Sequence, residues 1–189
     1  MRIICVIPVF NCGDTLLETL KSVDGKVDEI HCYDTCWLIN PKTFHSSDNT
    51  KEIIEKFSET SKTKADYIVL PSPMNEQKCR DISIENIADG DWVFAIDSDE
   101  VVTKWDTLIR LTLERTSEKG FYWFMDGHLF PVCRLFRKEK GMKYFTCRIL
   151  SPNGETLNNL GSIDIHVRHD YEKRKREKRA SETAQRPHP

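Results

Sequence analysis

No uninterrupted apolar stretch in this 189-residue chain reaches the roughly 18 residues that a membrane-spanning helix needs. The early run Ile3-Ile4-Cys5-Val6-Ile7, closed by Pro8, is too short and too β-branched for a signal peptide, and no cleavage site follows it. Cys-x-x-Cys pairs are also missing. The seven cysteines stand at 5, 12, 32, 36, 79, 133 and 147; their number is odd, and only Cys32 and Cys36 are close. This pattern argues against a disulfide framework and a zinc site, and for free thiols in a reducing, cytoplasmic setting. There is no internal repeat and no large overall charge. The formal charge of −2 hides an asymmetry: residues 168–189 carry eight Lys/Arg against four Asp/Glu, a net of +4, which leaves −6 on residues 1–167. An acidic body argues against general nucleic-acid binding, whereas the basic tail suits peripheral contact with an anionic surface such as a membrane.

What is present is an alternation of short apolar runs and amphipathic segments. Arg2–Phe10 reads as a strand buried on both faces, ended by the turn Asn11-Cys12-Gly13. Thr15 and Glu18 have the spacing of a capping box, and Leu16, Leu17, Leu20 and Val23 share one helical face. A second strand spans Val27–Tyr33 and runs into Asp34, an irregular stretch follows, and Asp48 or Asn49 caps a helix that buries Ile53, Ile54 and Phe57. Tyr67–Leu70 is a third strand, and Asn75–Asp89 a weakly patterned helix. Trp92–Ile96 is a fourth strand that delivers Asp97, Asp99 and Glu100 at its carboxyl end. Such alternation implies a parallel sheet with right-handed crossovers, whose ligands bind beyond the carboxyl ends of the strands. Trp105–Thr116 reads as a further helix. After it, strand-like segments at 121–125, 133–136, 143–150 and 162–169 are joined by turns that include Pro152-Asn153-Gly154, giving a mixed or antiparallel extension.

Several pieces together resemble glycosyltransferase family 2. They are Ile-Pro-Val-Phe-Asn at 7–11, Leu-Lys-Ser-Val at 20–23, Val-Asp-Glu-Ile at 27–30 leading to Asp34-Thr35, and Ser-Asp-Asn-Thr-Lys-Glu-Ile at 47–53. Gly-Asp-Trp-Val at 90–93, Asp-Ser-Asp-Glu at 97–100, Arg-Leu-Phe-Arg at 134–137 and His169-Asp170-Tyr171 complete the series. The resemblance is nearest to the lipopolysaccharide-core type of branch. It implies an α/β GT-A fold over 1–171, with a mainly parallel central sheet, and a basic tail over 172–189.

The same resemblance implies roles. Pro8, Phe10, Asn11, Asp34, Arg80, Asp97 and Ser98 would line a nucleotide-sugar pocket, with Asp34 reading the base, Asp97 near the ribose and metal, and Arg80 near the nucleotide or donor sugar. Asp99 and His169 would hold Mn²⁺ or Mg²⁺, with His166 as the competing histidine. The implied activity is metal-dependent, inverting transfer from a nucleotide-sugar donor, most simply a UDP-sugar, to an acceptor hydroxyl on a glycan, lipid-linked molecule or protein. A position at a strand end implies that Asp34 can be removed without unfolding the chain.

Four departures from the family pattern stand out. An insertion at 36–46 separates Thr35 from Ser47, at the base-side wall. Asp81 stands where Asn is usual, and the helix from Arg80 to Gly90 is one residue longer than is typical. Leu150-Ser151 replaces a His-Glu pair, which leaves the catalytic base open among Asp126, Glu155 and Asp164. Two other readings use the same residues. A nucleotidyltransferase would need a Gly-rich basic loop after the first strand, where Asn11-Cys12-Gly13-Asp14 is acidic. A binding protein that has lost its chemistry would fit the missing His-Glu pair.

Overall fold

The computed structural model describes residues 1–36, 44–72, 74–126, 132–145, 148–157 and 160–169. Most of the 36–46 insertion, Cys147, the Asp170-Tyr171 pair, the boundary at 171–172 and the basic tail lie outside the described residues.

The order of elements is β1 (Ile3–Val9), α1 (Leu16–Val23), β2 (Glu29–Asp34), α2 (Thr50–Thr60), β3 (Lys64–Val69), α3 (Glu76–Glu85) and β4 (Trp92–Ala95). There follow β5 (Glu100–Lys104), α4 (Ile109–Arg115), β6 (Gly120–Asp126), β7 (Val132–Arg137), β8 (Lys143–Phe145), β9 (Arg148–Leu150) and β10 (Leu160–His169). One sheet runs β3-β2-β1-β4-β7-β6-β10-β5, and β8 and β9 form a separate hairpin. The first four strands are parallel, β7 runs against both β4 and β6, and β10 is parallel to β6. The expected α/β architecture, a parallel half with a mixed extension, is the one observed.

β1 is central because every side chain in it is apolar, and each is buried. Its alternation divides the core in two. Ile3, Cys5, Ile7 and Val9 join Leu16, Leu20, Ile54, Phe57, Ile109 and Leu113 on one face, whereas Ile4 and Val6 join Tyr33, Cys79, Ile84, Met142 and Tyr144 on the other. Deleting a side chain such as Ile7 from this packing costs about 2–5 kcal/mol.

Several boundaries differ from the sequence reading. Glu100–Lys104 is a strand, paired antiparallel with β10. The partner that makes its β-branched Val101-Val102-Thr103 a strand lies more than sixty residues away. The next helix starts only at Ile109, after a turn in which Asp106 accepts the Leu108 N–H at 2.8 Å. α3 stops at Glu85 rather than running to 89. No capping box forms at α1: Thr15 Oγ1 donates to Cys12 O at 3.3 Å, and Glu18 pairs with Arg168 at 2.6 Å. Leu17 faces solvent at 40% exposure. At α2 the N-cap position is Asn49, whose side chain makes no capping bond; the residue before it, Asp48, accepts from Thr50 N at 3.1 Å and Thr50 Oγ1 at 2.6 Å.

Candidate functional site

The topology brings one end of every relevant strand to the same sheet edge. The carboxyl ends of β1, β2, β4, β6 and β10 lie there, with the amino ends of β7 and β5. Asn11, Asp34, Asp97, Asp99, Arg134 and His169 therefore meet from stretches far apart in the chain.

α1 carries the acid turn on two of its hydroxyls. Thr19 Oγ1 donates to Ser98 O at 3.0 Å, and Ser22 Oγ accepts the Val102 N–H at 3.0 Å. The turn closes by Glu100 N to Asp97 O at 3.0 Å. It is not an extended strand, so Asp97 and Asp99 point to different partners. Asp97 Oδ1 lies 2.6 Å from Arg80 Nη2, and its Oδ2 lies 3.3 Å from Arg134 Nη1. Arg134 also reaches both Glu100 oxygens, at 2.9 and 3.1 Å, while Glu100 accepts the Asp97 N–H at 2.7 Å. Asp99, 3% exposed, lies 3.5 Å from His169 Nε2.

Burial dominates the electrostatics here. It pushes the Glu100 carboxyl up to about 7, with the Asp97 charge adding and Arg134 opposing. Burial works against the charge on Arg80, but Asp97, Tyr144 and Glu76 outweigh it and raise its pKa. Arg134 is raised in the same way, by Asp97 and Glu100 against burial. Both guanidiniums remain charged, so they neutralise Asp97 and Glu100. The Tyr144 ring stands 5.9 Å from the Arg80 guanidinium carbon, and Asp81 Oδ1 accepts the Tyr144 N–H at 2.6 Å. The aspartate in place of the usual asparagine thus docks the β8–β9 hairpin onto α3.

At the end of β2, Asp34 is fully buried. It accepts from Ser46 N at 2.8 Å, from Ser46 Oγ at 2.9 Å and from the Tyr67 hydroxyl. Burial first, and then this bond to Asp34, raise the Tyr67 pKa. The two ends of the insertion meet where Cys36 N donates to Phe44 O at 3.1 Å. Asn11, left-handed at φ 46°, holds the returning chain: its N–H donates to Ser46 Oγ at 2.9 Å and its Oδ1 accepts Ser47 N at 2.8 Å. A Cβ at Gly13 beside it would lie 1.9 Å from Asn49 Oδ1 and would displace that side chain.

Among the other expected residues, Pro8 is buried in β1 opposite Tyr33, Phe10 is half-buried, and Ser98 lies within the acid turn. His169 stands opposite Glu100 and beside Asp99, whereas His166 stands opposite Lys104 and bonds Asp164 at 3.1 Å. Asp164 pairs with Lys104 at 2.6 Å, about five strand residues, or roughly 16 Å, before His169. Glu155 is an exposed turn residue whose carbonyl accepts Ser151 N at 2.8 Å. Of the three candidate bases, only Asp126 holds a backbone position at the edge itself, opposite Arg168. Ser46, Tyr67, Glu100 and Arg134 belong to the site without having been assigned a role from sequence. Glu100 and Arg134 stood in quoted motifs, but Ser46 and Tyr67 carried no signal.

The residues present fit a divalent cation held by two protein donors. Carboxylate and imidazole ligands at about 2.1 Å in adjacent positions lie about 3.0 Å apart, close to the 3.5 Å between Asp99 and His169. Among the described residues no cluster of three or more His, Cys, Asp or Glu could hold a metal.

Comparison with solved structures identifies S. aureus TarS residues 1–349, alone, in complex with UDP and in complex with UDP-GlcNAc. Each is 22% identical with a TM-score of 0.54, and the match covers 69% of this chain. This chain spans 38%, 38% and 37% of those three, less than two-fifths of their length, and the likeness is one of fold. No curated protein sequence matches significantly. A family model described as glycosyl transferase family 2 matches residues 4–121, which include Asp34, Arg80, Asp97 and Asp99. With that match over more than half its length, and with the GT-A sheet beneath it, the chain belongs to glycosyl transferase family 2.

Proposed function

We propose that this chain binds a UDP-sugar and, with Mn²⁺ or Mg²⁺, transfers the sugar with inversion to an acceptor hydroxyl. The observation that carries this reading is the convergence of Asp34, the Arg80–Asp97 pair and the Asp99–His169 pair on one sheet edge. TarS, which shares the fold, has been captured with UDP and with UDP-GlcNAc, and this supports a uridine nucleotide as donor. The branch of the family proposed is the lipopolysaccharide-core type, on the strength of the order and spacing of the matching motifs taken together.

In this reading Asp34, presented by β2, meets the base. Three protein donors already use its oxygens and the carboxylate is fully buried, so a base N–H reaches it by displacing the Ser46 contact. Arg80 and Asp97 orient the ribose and diphosphate. Asp99 and His169 would hold the cation, which when bound neutralises charge growing on the leaving diphosphate. The bond from the anomeric carbon to the diphosphate oxygen breaks, and a bond to the acceptor oxygen forms on the opposite face. The acceptor proton passes to a carboxylate, for which Asp126 is the candidate, from its position at the edge. The basic tail is proposed to bring the domain to an anionic membrane; among the described residues no helix is long and apolar enough to cross one.

Donor hydrolysis tests the reading, with water as acceptor. Incubating UDP-sugars with the chain and Mn²⁺ should release UDP, with the first sugar product inverted at the anomeric carbon by proton NMR. A chain that binds UDP but never turns over would favour the binding protein suggested by Leu150-Ser151. A chain that binds no uridine nucleotide would refute the proposal.

A further inference from the structure

Three acids end β4, but they are not equivalent toward a cation. Each Asp97 oxygen already faces a guanidinium, Oδ1 at 2.6 Å and Oδ2 at 3.3 Å. Glu100 is fully buried and shares Arg134 at 2.9 Å. The side chains of both arginines are themselves buried, at 7% and 11% exposure, so solvent screens them weakly. Asp99 is the acid that instead faces His169.

We propose that Arg80 and Arg134 withhold Asp97 from the metal, so that the site accepts its divalent ion only together with a nucleotide diphosphate. This rests on the nucleotide-sugar reading above. Among the described residues, an ion arriving alone meets the Asp99 carboxylate and the His169 imidazole, beside two buried positive charges held on the neighbouring acid. Ligand charge count sets the affinity of oxygen-rich cation sites, and one carboxylate is too few. A diphosphate reverses the balance. Its negative charge attracts the ion and both arginines, and its oxygens complete the ion's shell. The arginines therefore act as a selectivity device: they hold Asp97 neutralised until a ligand brings its own anionic charge.

The test follows free Mn²⁺ by its electron paramagnetic resonance signal, with the whole chain as titrant. Wild type should leave Mn²⁺ free when added alone and should remove it once UDP is present, beyond what UDP alone removes. Arg80→Gln releases one Asp97 oxygen and should bind Mn²⁺ alone about tenfold tighter or more. Adding Asp97→Asn to that variant should cancel the gain. Glu100→Gln/Arg134→Met removes the buried acid and its partner together, stranding neither charge, and should also gain affinity for the ion alone. Urea melts confirm that each variant is folded. Wild type binding Mn²⁺ as tightly without UDP as with it overturns the proposal, as does a failure of both folded variants to gain. Absence of UDP binding under every condition overturns the nucleotide reading and the requirement for the complex. The metal-only comparison still reads the arginine restraint separately.

Discussion

Arg134→Met should destabilise the chain in a pH-dependent way. The substitution removes the guanidinium that lies 2.9 and 3.1 Å from the two Glu100 oxygens. Among the described residues, Glu100 then keeps the Asp97 N–H at 2.7 Å. Leaving such a carboxylate buried and uncompensated costs about 3–5 kcal/mol. The variant can escape part of this by keeping Glu100 protonated. The Glu100 carboxyl already titrates at about 7 instead of its ordinary 4.5, through burial first and Asp97 second, and Arg134 pulls it down. Without that pull it rises further. The folded-state value exceeds the unfolded one, so the folded chain holds a proton that the unfolded chain has lost. Stability therefore falls as pH rises between the two values, by about 1.4 kcal/mol per unit. In wild type this fall ends near 7; in the variant it continues. The loss on substitution should thus be about 3–5 kcal/mol near pH 8.5 and about 2 kcal/mol smaller near pH 6. Urea denaturation in EDTA at both pH values measures it. Adding Glu100→Gln should abolish the difference between the two. An equal loss at both pH values, or a larger one in acid, would refute the reasoning.

Asp34→Ala should weaken UDP binding by about 1–3 kcal/mol and should also lower stability by about 2–4 kcal/mol, because Ser46 and Tyr67 lose their shared acceptor. Calorimetry and urea melts separate the two effects, and an unchanged melt would show that the Ser46 contact holds nothing. Asp99→Asn should abolish both turnover and metal-dependent UDP binding, while His169→Ala lowers turnover more than metal affinity; the same phenotype from His166→Ala instead would contradict the 3.5 Å pairing. Removing residues 172–189 should leave UDP affinity unchanged and abolish pelleting with anionic liposomes; equal pelleting would remove the membrane role from the tail.

The amino-acid sequence by itself determined the local elements and the edge on which the site would form. Apolar runs bounded by turns identified β1, β2 and β4, and apolar positions at helical spacing identified α1 and α2, because each signal lies within a few residues of chain. The order of those elements implies a parallel sheet, and a parallel sheet collects Asn11, Asp34 and Asp97 at its carboxyl edge. What the local pattern could not carry were the pairings between distant stretches. β5 exists because β10 lies beside it, and that same pairing sets His169 rather than His166 at the acid turn. Asp97 and Asp99 look alike in sequence; only the arrival of Arg80 from α3 and Arg134 from β7 makes one a neutralised partner and leaves the other facing His169. Ser46 reaches Asp34 across a segment whose composition gave no sign of it. Side chains brought together by tertiary packing fix charge state and donor set, and such contacts have no period that a linear pattern can show.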